Sequence, residues 1–451
     1  MNIIIAGSGK VGMTLARQLA AEGHSITLID NAPQVLEEAL VQFDAISLCG
    51  NCASKDILLQ AGIRSADLVI AVTNADEVNL LCCMTAHGIN PNIHTIARIR
   101  NPEYADQIVT MPEVFPLSLT VNPEKQAAVE IERLLKYPGF LRRDTFAKGR
   151  VEIVELRIDE KSKLRNVALS DLSKTVGCKV LVCAVLRQGT AVAPRGNFVL
   201  QQNDRIFVTA PTSVLTELLR NLGIITRKVR KVLICGGGRV SFYLAQLLEK
   251  DGISVQLMDK SHARCVELAS LLEKTSVICG DCSSQAALDA QGIDNMDAIA
   301  SLSGVDETNM IISLYGGTRN VPQIITKLSR GESIIADSLD LGSIICPKEL
   351  CSNNIVRYVR AMQNQTGAAV SVHTIADGQV EAVEFLADSA TRNCGVPLKE
   401  LKLKPNVLVA GISHGTHTQI PNGDSVFLEG DSVIVVTSGR GVLNNINDIF
   451  A

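Results

Sequence analysis

The sequence predicts an α/β protein with two tandem doubly wound parallel sheets, each followed by a small α+β module. The first observation is a glycine-rich loop, Gly7-Ser8-Gly9-Lys10-Val11-Gly12, directly after the apolar run of residues 3–6. The second is its repetition at Gly236-Gly237-Gly238-Arg239-Val240-Ser241, again after an apolar run. The third is that matched segments follow both loops, so the duplication extends through the whole chain.

The first loop is predicted to open a Rossmann-like βαβ unit. Gly7 permits the tight turn, Gly9 lets a pyrophosphate approach the backbone, and Gly12 lets the helix pack closely on the strand. The helix that follows presents unpaired N–H groups and a partial positive charge to phosphates. The next strand ends at Asp30, which is placed to bind a ribose diol and favours NAD over NADP. These features predict a dinucleotide or adenine-nucleotide site.

The second loop predicts a second, less regular nucleotide site. Asp259 follows Gly236 at the spacing that separates Asp30 from Gly7. Ser241 stands where the first copy has Gly12. A side chain at that position is expected to loosen or reshape the pocket.

Further binding residues are predicted where strands end, because doubly wound sheets bind ligands beyond the carboxyl ends of their strands. Thr73-Asn74 and Ser303-Gly304 follow equivalent strands of the two halves. Arg98 and Lys327 lie at equivalent places on the next strands, where a cation could neutralise phosphates. The alternative is that these are ordinary solvated residues at strand ends.

Changes of pattern divide each half into a sheet, a linking helix and a small strand-rich module. The apolar faces of the linking helices around Val129 and Ile355 are candidate oligomer interfaces, although packing within one chain explains them equally well. The predicted divisions are 1–122 for the first sheet, 123–150 for the first linking helix and connector, 151–222 for the first module, 223–231 for a basic linker, 232–346 for the second sheet, 347–379 for the second linking helix and connector, and 380–451 for the second module.

Composition excludes several other classes of protein. No apolar run reaches the roughly 18 to 20 residues that cross a bilayer, and the N-terminus does not resemble a signal peptide, so a soluble cytoplasmic protein is expected. A net charge of −4 and the lack of tryptophan argue against a nucleic-acid partner.

Thirteen cysteines are expected to act mainly as small apolar residues with free thiols. Two Cys-x-x-Cys pairs, Cys49 with Cys52 and Cys279 with Cys282, have the spacing of thiolate metal sites and thiol redox motifs. They occupy equivalent points of separate sheets, so the duplication accounts for their symmetry. Neither a metal site nor a redox function is expected of these pairs.

These motifs together resemble the TrkA family, the cytoplasmic regulatory subunits of the bacterial Trk potassium uptake system. The resemblance rests on the glycine loop and aspartate, the Gly-Asn/Asp-Cys turn, and the runs Val72-Thr-Asn-x-Asp-Glu-x-Asn79 and Ala97-Arg-Ile-Arg-Asn-Pro-Glu-Tyr104. Family members consist of two RCK (regulator of potassium conductance) units, each with an RCK-C domain that corresponds to a small module here. The resemblance implies binding of NAD or NADH, and of ATP or ADP at the same sites. The implied nucleotide-binding residues are Gly7, Ser8, Gly9, Lys10, Val11, Asp30, Thr73, Asn74 and Arg98 in the first half and Gly236, Gly237, Gly238, Arg239, Val240, Asp259, Ser303 and Lys327 in the second.

The function that follows is regulation by population shift. A nucleotide that binds one arrangement of the units more tightly would shift the population of a homo-oligomeric ring towards that arrangement. The ring would transmit this shift to a TrkH-like potassium-translocating membrane subunit. Binding to that subunit would hold the protein at the inner face of the membrane. The rival is an NAD-dependent oxidoreductase. No candidate acid or base beside a nicotinamide is evident in the sequence, so a non-enzyme is expected. A nucleotide sensor of a different transporter is a third interpretation.

Overall fold

The computed structural model describes residues 1–42, 44–111, 113–136, 140–160, 162–222, 228–329, 339–362, 369–376, 378–415, 417–438, 443 and 445–451. The predicted basic linker lies partly outside these residues. The chain forms two compact units, one containing Met1–Ala128 and Cys346–Tyr358, the other Val129–Ile345 and Val359–Ala451. No helix in the described ranges is long and apolar enough to cross a bilayer.

The first unit is built on a six-stranded parallel sheet with the strand order β3-β2-β1-β4-β5-β6. Strands β1 and β4 at its centre are almost completely buried, because helices cover both faces of a doubly wound sheet. The elements are β1 (Asn2–Ala6), α1 (Lys10–Ala21), β2 (Ser25–Asp30), α2 (Pro33–Gln42), β3 (Ile46–Cys49), α3 (Lys55–Gln60), β4 (Leu68–Ala71), α4 (Asp76–Ile89), β5 (His94–Arg98), α5 (Pro102–Thr110) and β6 (Leu119–Val121).

A linking helix and the first small module follow. The module is a five-stranded antiparallel sheet with the order β10-β9-β11-β8-β7. Its first strand, β7, precedes residue 151 and pairs with β8, so the sheet includes residues from the predicted connector. The elements are α6 (Pro123–Lys136), β7 (Arg142–Phe146), β8 (Val151–Arg157), α7 (Leu172–Val176), β9 (Leu181–Arg187), β10 (Thr190–Val192), β11 (Arg205–Pro211) and α8 (Thr212–Leu222).

The second half repeats this architecture. A six-stranded parallel sheet with the order β14-β13-β12-β15-β16-β17 precedes an antiparallel sheet with the order β18-β19-β22-β20-β21, which confirms the predicted fold class. The elements are β12 (Lys231–Cys235), α9 (Arg239–Lys250), β13 (Ser254–Asp259), α10 (His262–Leu271), β14 (Ser276–Cys279), α11 (Gln285–Ala290), β15 (Ala298–Ser301), α12 (Asp306–Thr318), β16 (Gln323–Lys327), β17 (Ser343–Ile345), α13 (Pro347–Met362), β18 (Ala369–Ile375), β19 (Val380–Leu386), β20 (Val407–His414), β21 (His417–Gln419) and β22 (Ser432–Thr437).

The two small modules share an apolar core within the second unit. Phe146, Ile153 and Phe207 of the first module pack in one cluster with Ile375 and Ile434 of the second. Alternation of apolar and polar residues in β8 suggests a strand with one solvated face, but six of its seven residues are buried. The reason is that the other module covers the face of β8 that a solitary module would expose to water.

The linking helices are divided between the two units. Residues 346–358, at the start of α13, pack with the first sheet, where the Tyr358 hydroxyl lies 3.2 Å from His94 Nδ1. The end of α6 packs with the second sheet, where Gln323 Nε2 donates a hydrogen bond to the carbonyl of Leu134. Ile355 is fully buried by this packing, which favours the within-chain alternative for α13, whereas Val129 is 40% exposed.

Candidate nucleotide-binding sites

Each glycine loop connects a buried strand to the N-terminus of a long helix. Gly7 adopts φ +100°, and a Cβ there would lie 2.8 Å from Thr73 N, so the loop passes directly over the end of β4. Gly236 has φ +103° and would meet Ser303 N at 2.9 Å. The positive φ and the close approach both require glycine at these two positions.

The second glycine of each loop borders open space. Gly9 and Gly238 are the N-cap residues of α1 and α9, both with φ −70°, and beyond the adjoining residues no described atom lies within 4 Å of a Cβ built on either. Neither helix has a side-chain cap or an acidic residue in its first turn. Lys10 and Arg239 are the exposed first residues of these helices. The first-turn N–H groups are therefore accessible to an anion.

The aspartates at the ends of β2 and β13 bind the glycine loops. Asp30 accepts hydrogen bonds from Ser8 N at 2.7 Å and from Ala32 N at 2.9 Å, one on each carboxylate oxygen. Asp259 accepts from Gly237 N at 2.6 Å and from Ser261 N at 2.8 Å. Each carboxylate oxygen keeps a lone pair for a further donor such as a ribose hydroxyl. The aspartates therefore also position the loop, a role that sequence reasoning missed.

A buried asparagine joins the two strand ends that carry the other predicted residues. Asn79 Oδ1 accepts hydrogen bonds from Thr73 N at 2.8 Å and from Thr73 Oγ1 at 2.7 Å. Its Nδ2 donates to the carbonyl of Arg98 at 2.9 Å. Asn309 makes the matching bonds to Ser303 N at 2.8 Å and to the Lys327 carbonyl at 2.9 Å. We call Asn79 and Asn309 the clamp asparagines.

The aspartate that opens the same repeated Asp-Glu-x-Asn motif fixes the loop beyond β5. Asp76 is buried and accepts hydrogen bonds from the backbone N–H groups of Arg100 and Asn101 at 2.7 and 2.8 Å. The Arg100 side chain also donates to the carbonyl of Asn74, whose own side chain is exposed. The repetition of the motif in both halves was the sequence signal that could have identified this framework.

The two predicted cations differ in their surroundings. Arg98 has a side chain that is 14% exposed and forms a 3.7 Å ion pair with Glu124. Burial lowers the pKa of Arg98, and Glu124 opposes this effect. Lys327 Nζ instead donates to the carbonyl of Leu302 at 3.1 Å, directly before Ser303. Both cations stand at strand ends that the clamp asparagines hold next to the loops.

The two loops differ at the position of the third glycine, which is Gly12 in the first copy and Ser241 in the second. A Cβ at Gly12 would lie 1.9 Å from the carbonyl oxygen of Gly7, so the first loop excludes any side chain there. Ser241 is fully buried, and its hydroxyl has no hydrogen-bond partner among the described residues. The two loops nevertheless keep a similar turn, since Gly236 has a φ close to that of Gly7 and α9 begins at the position equivalent to the start of α1. Val11 and Val240 are buried in both helices.

The second cysteine of each Cys-x-x-Cys pair lies beside a cysteine of another element. The buried Cys52 contacts Cys82, and the buried Cys282 contacts Cys235. The hydrogen bond to the partner thiol, together with burial, raises the pKa of both Cys82 and Cys235. Within the described ranges, no group of three or more histidine, cysteine, aspartate or glutamate residues could hold a metal ion.

Two glycine loops on duplicated parallel sheets, each sheet followed by an antiparallel module, define a protein with tandem Rossmann-like domains. The TrkA-N domain model matches residues 3–112 and 232–341, and the TrkA-C domain model matches residues 153–223 and 382–446. The chain belongs to the TrkA family of Trk system potassium uptake proteins.

Relatives extend over the full length of the chain. A Trk system potassium uptake protein TrkA homolog of Archaeoglobus fulgidus is 30% identical over 452 residues and covers 100% of both chains. Among solved structures, the GsuK RCK domain superposes with a TM-score of 0.60 at 15% identity, covering 97% of this chain and 92% of that one. The GsuK channel bound to NAD gives a TM-score of 0.59 at 16% identity and covers 97% and 77%. These structures share the fold of the chain.

Proposed function

We propose that the chain is a regulatory subunit that binds a nucleotide at each glycine loop and thereby controls potassium uptake through a TrkH-like membrane partner. The observation that carries this proposal is the open space at Gly9 and Gly238, bordered by an uncapped helix N-terminus and by an aspartate at the end of the next strand. Family membership supplies the link to potassium uptake, and the structural neighbour described as bound to NAD supports the choice of ligand.

In this proposal, different residues of each site bind different parts of the nucleotide. Phosphates lie against the N–H groups of residues 10–12 and 239–241, with Lys10 and Arg239 available to pair with their charge. Asp30 and Asp259 accept the ribose hydroxyls, which disfavours a 2′-phosphate by charge repulsion. NAD and NADH share their adenosine half with ATP and ADP, so all four are ligands of the same pockets.

Control of the partner then requires no covalent chemistry by this chain. A nucleotide shifts the population of conformations by its differential affinity for them. The same glycine loops contact the ends of β4 and β15, and the clamp asparagines extend that contact to β5 and β16. The protein acts from the cytoplasmic face of the membrane through its partner. The rival oxidoreductase function requires hydride transfer to a substrate, which the experiments below test directly.

We also propose that copies of the chain associate through α4 and α12. Leu81 on α4 and Ile311 on α12 are 53% and 56% exposed and stand at equivalent positions of the repeat. A closed homo-oligomeric ring needs such matching surfaces, because each unit meets its neighbours in an equivalent way. The double variant Leu81→Glu with Ile311→Glu should lower the mass measured by light scattering, and Val266→Glu on α10 should not. An unchanged mass for the double variant would contradict this interface.

Glycine-to-alanine variants provide the sharpest test of nucleotide binding. Gly9→Ala and Gly238→Ala place a methyl group where the structure has open space, at a φ that alanine adopts freely, and cost at most about 1 kcal/mol as N-caps. We expect each to weaken NAD, NADH, ATP and ADP at least tenfold in its own half by calorimetry. Gly88→Ala on α4, also in open space, is the matched control.

The outcomes separate the alternatives. Unchanged affinity in both glycine variants would exclude the assigned sites. Turnover of NADH with small carbonyl substrates would instead support the oxidoreductase. In cells that lack their own regulator, the parent chain should restore potassium uptake and the Gly9→Ala, Gly238→Ala double variant should not. Nucleotide binding without restored uptake in the presence of a TrkH-like subunit would point to a sensor of a different transporter.

A further inference from the structure

Two thiols flank the aspartate of the second glycine loop. Cys279 ends β14, directly opposite Asp259 of β13, and is exposed. Cys265, in the first turn of α10, is buried and donates its S–H to the carbonyl of Asp259 at 3.3 Å. The Cys265 sulfur also lies 3.6 Å from the carbonyl oxygen of Ile278, the residue directly before Cys279. One member of the pair therefore meets solvent, while the other lies directly behind it.

We propose that Cys265 and Cys279 are a reversible thiol–disulfide site that adjusts nucleotide binding in the second half. This regulation rests on the function proposed above. Disulfides in cytoplasmic proteins are usually transient and act in sensing, which suits a pair beside a ligand site. The pair shares Cys279 with the second Cys-x-x-Cys motif, but the proposed partner of Cys279 is Cys265 and not Cys282.

The first half lacks this pair and provides an internal comparison. Cys49 is exposed at the position of Cys279, but Leu36 occupies the position of Cys265. Two further pairs of thiols, Cys52 with Cys82 and Cys235 with Cys282, are buried in both members and closed to an oxidant in water. Cys265 and Cys279 differ from these pairs because Cys279 is exposed.

The chemistry is thiol–disulfide exchange with a low-molecular-weight disulfide such as oxidised glutathione. The Cys279 thiolate attacks one sulfur of that disulfide, forms a mixed disulfide and releases one thiol. The Cys265 thiolate then attacks the Cys279 sulfur and releases the second thiol. The two protein thiols lose two protons and two electrons, which the two released thiols carry. Burial raises the pKa of Cys265, and the neighbouring Cys279 raises it further, so Cys279 is the first to react.

The bond would act on the turn that presents Asp259. Residues 259–261 connect β13 to α10, and Ser261 N holds one carboxylate oxygen of Asp259. Disulfide formation removes the S–H that Cys265 donates to the Asp259 carbonyl and ties α10 to the end of β14 across this turn. We expect the carboxylate to move away from the ribose position, which weakens nucleotide binding in the second half at least threefold.

Peptide mapping of the full chain tests the bond itself. After incubation with oxidised glutathione, non-reducing mass spectrometry should find Cys265 linked to Cys279, and reduced glutathione should reverse it. Cys279→Ser should abolish the linkage, and Cys49→Ser is the matched control that should not. Cys279 left as a stable mixed disulfide, or no oxidation at all, would overturn the proposal.

Calorimetry on the same samples tests the regulation. The oxidised parent should bind nucleotide less tightly in its second half, with the first half unchanged and with no such change in Cys265→Ser. A mapped disulfide with unaltered affinity would refute regulation by this pair. These results also separate a failure of the proposed function from a failure of the thiol proposal. If the second half binds no nucleotide even when reduced, the proposed function is contradicted. The disulfide is detected by peptide mapping, which does not depend on nucleotide binding.

Discussion

The clamp asparagine Asn79 provides the most direct test of how the first site is held together. Its side chain is fully buried and joins the end of β4 to the end of β5. In Asn79→Ala, the Thr73 N–H and the Arg98 carbonyl lose their partner without gaining water. Each lost bond costs about 1 to 2 kcal/mol net, so these strand ends should open more easily by about 2 to 4 kcal/mol.

Hydrogen-exchange mass spectrometry on the full chain measures this opening locally. At 1.4 kcal/mol per factor of ten, peptides covering residues 68–74 and 94–99 should exchange about 30- to 700-fold faster. Asn309→Ala should produce the same effect around β15 and β16 and leave β4 and β5 unchanged. Asn92→Ala, at an exposed position just before β5, is the control. Exchange in Asn79→Ala within threefold of the parent would refute the clamp.

Three further predictions concern the loop, an ion pair with a buried carboxylate, and a buried thiol. Gly12→Ala should lower the free energy of unfolding by more than about 2 kcal/mol in urea titrations, because its Cβ would lie 1.9 Å from a loop carbonyl oxygen; Gly88→Ala should not. Arg187→Ala removes two hydrogen bonds, of 2.7 and 2.8 Å, from the buried Asp204 carboxylate, and should cost about 2 to 3 kcal/mol in the same assay. Burial raises the pKa of Cys183 from 9.0 to about 12. The folded chain therefore keeps this proton where the unfolded chain loses it, and stability should fall as pH rises from 9.0 towards about 12. At pH values below that range, mass spectrometry should find Cys183 unalkylated by iodoacetamide in the folded protein, while Cys279 reacts; equal labelling would contradict its burial.

The sheets and loops were predictable because their determinants are local. Glycine spacing defines the loop, apolar runs define buried parallel strands, and duplication allows each half to support the interpretation of the other. The backbone at Gly7 and Gly236 has the positive φ that the motif requires. The aspartates at the ends of β2 and β13 also stand next to the loops, as the spacing indicates.

Contacts between distant segments could not be predicted in the same way. The Asp-Glu-x-Asn motif was visible as a repeat, but nothing local shows that Asn79 binds the carbonyl of Arg98 on another strand. The buried state of β8 depends on a second module more than 200 residues away in the chain. Sequence periodicity describes one element at a time, whereas these features depend on which element covers another.

The packing of the linking helices determines whether the chain can be divided into two fragments that fold separately. A fragment that ends at residue 222 would lack residues 346–358 and, with them, the contact of Tyr358 with His94. A fragment that begins at residue 228 would lack the Leu134 carbonyl that binds Gln323. Each half of the gene therefore encodes an incomplete folding unit, and separately expressed halves should recover their structure only when both are present in the same solution. The two copies are therefore structurally interdependent, although each is recognisable in the sequence as a unit of its own.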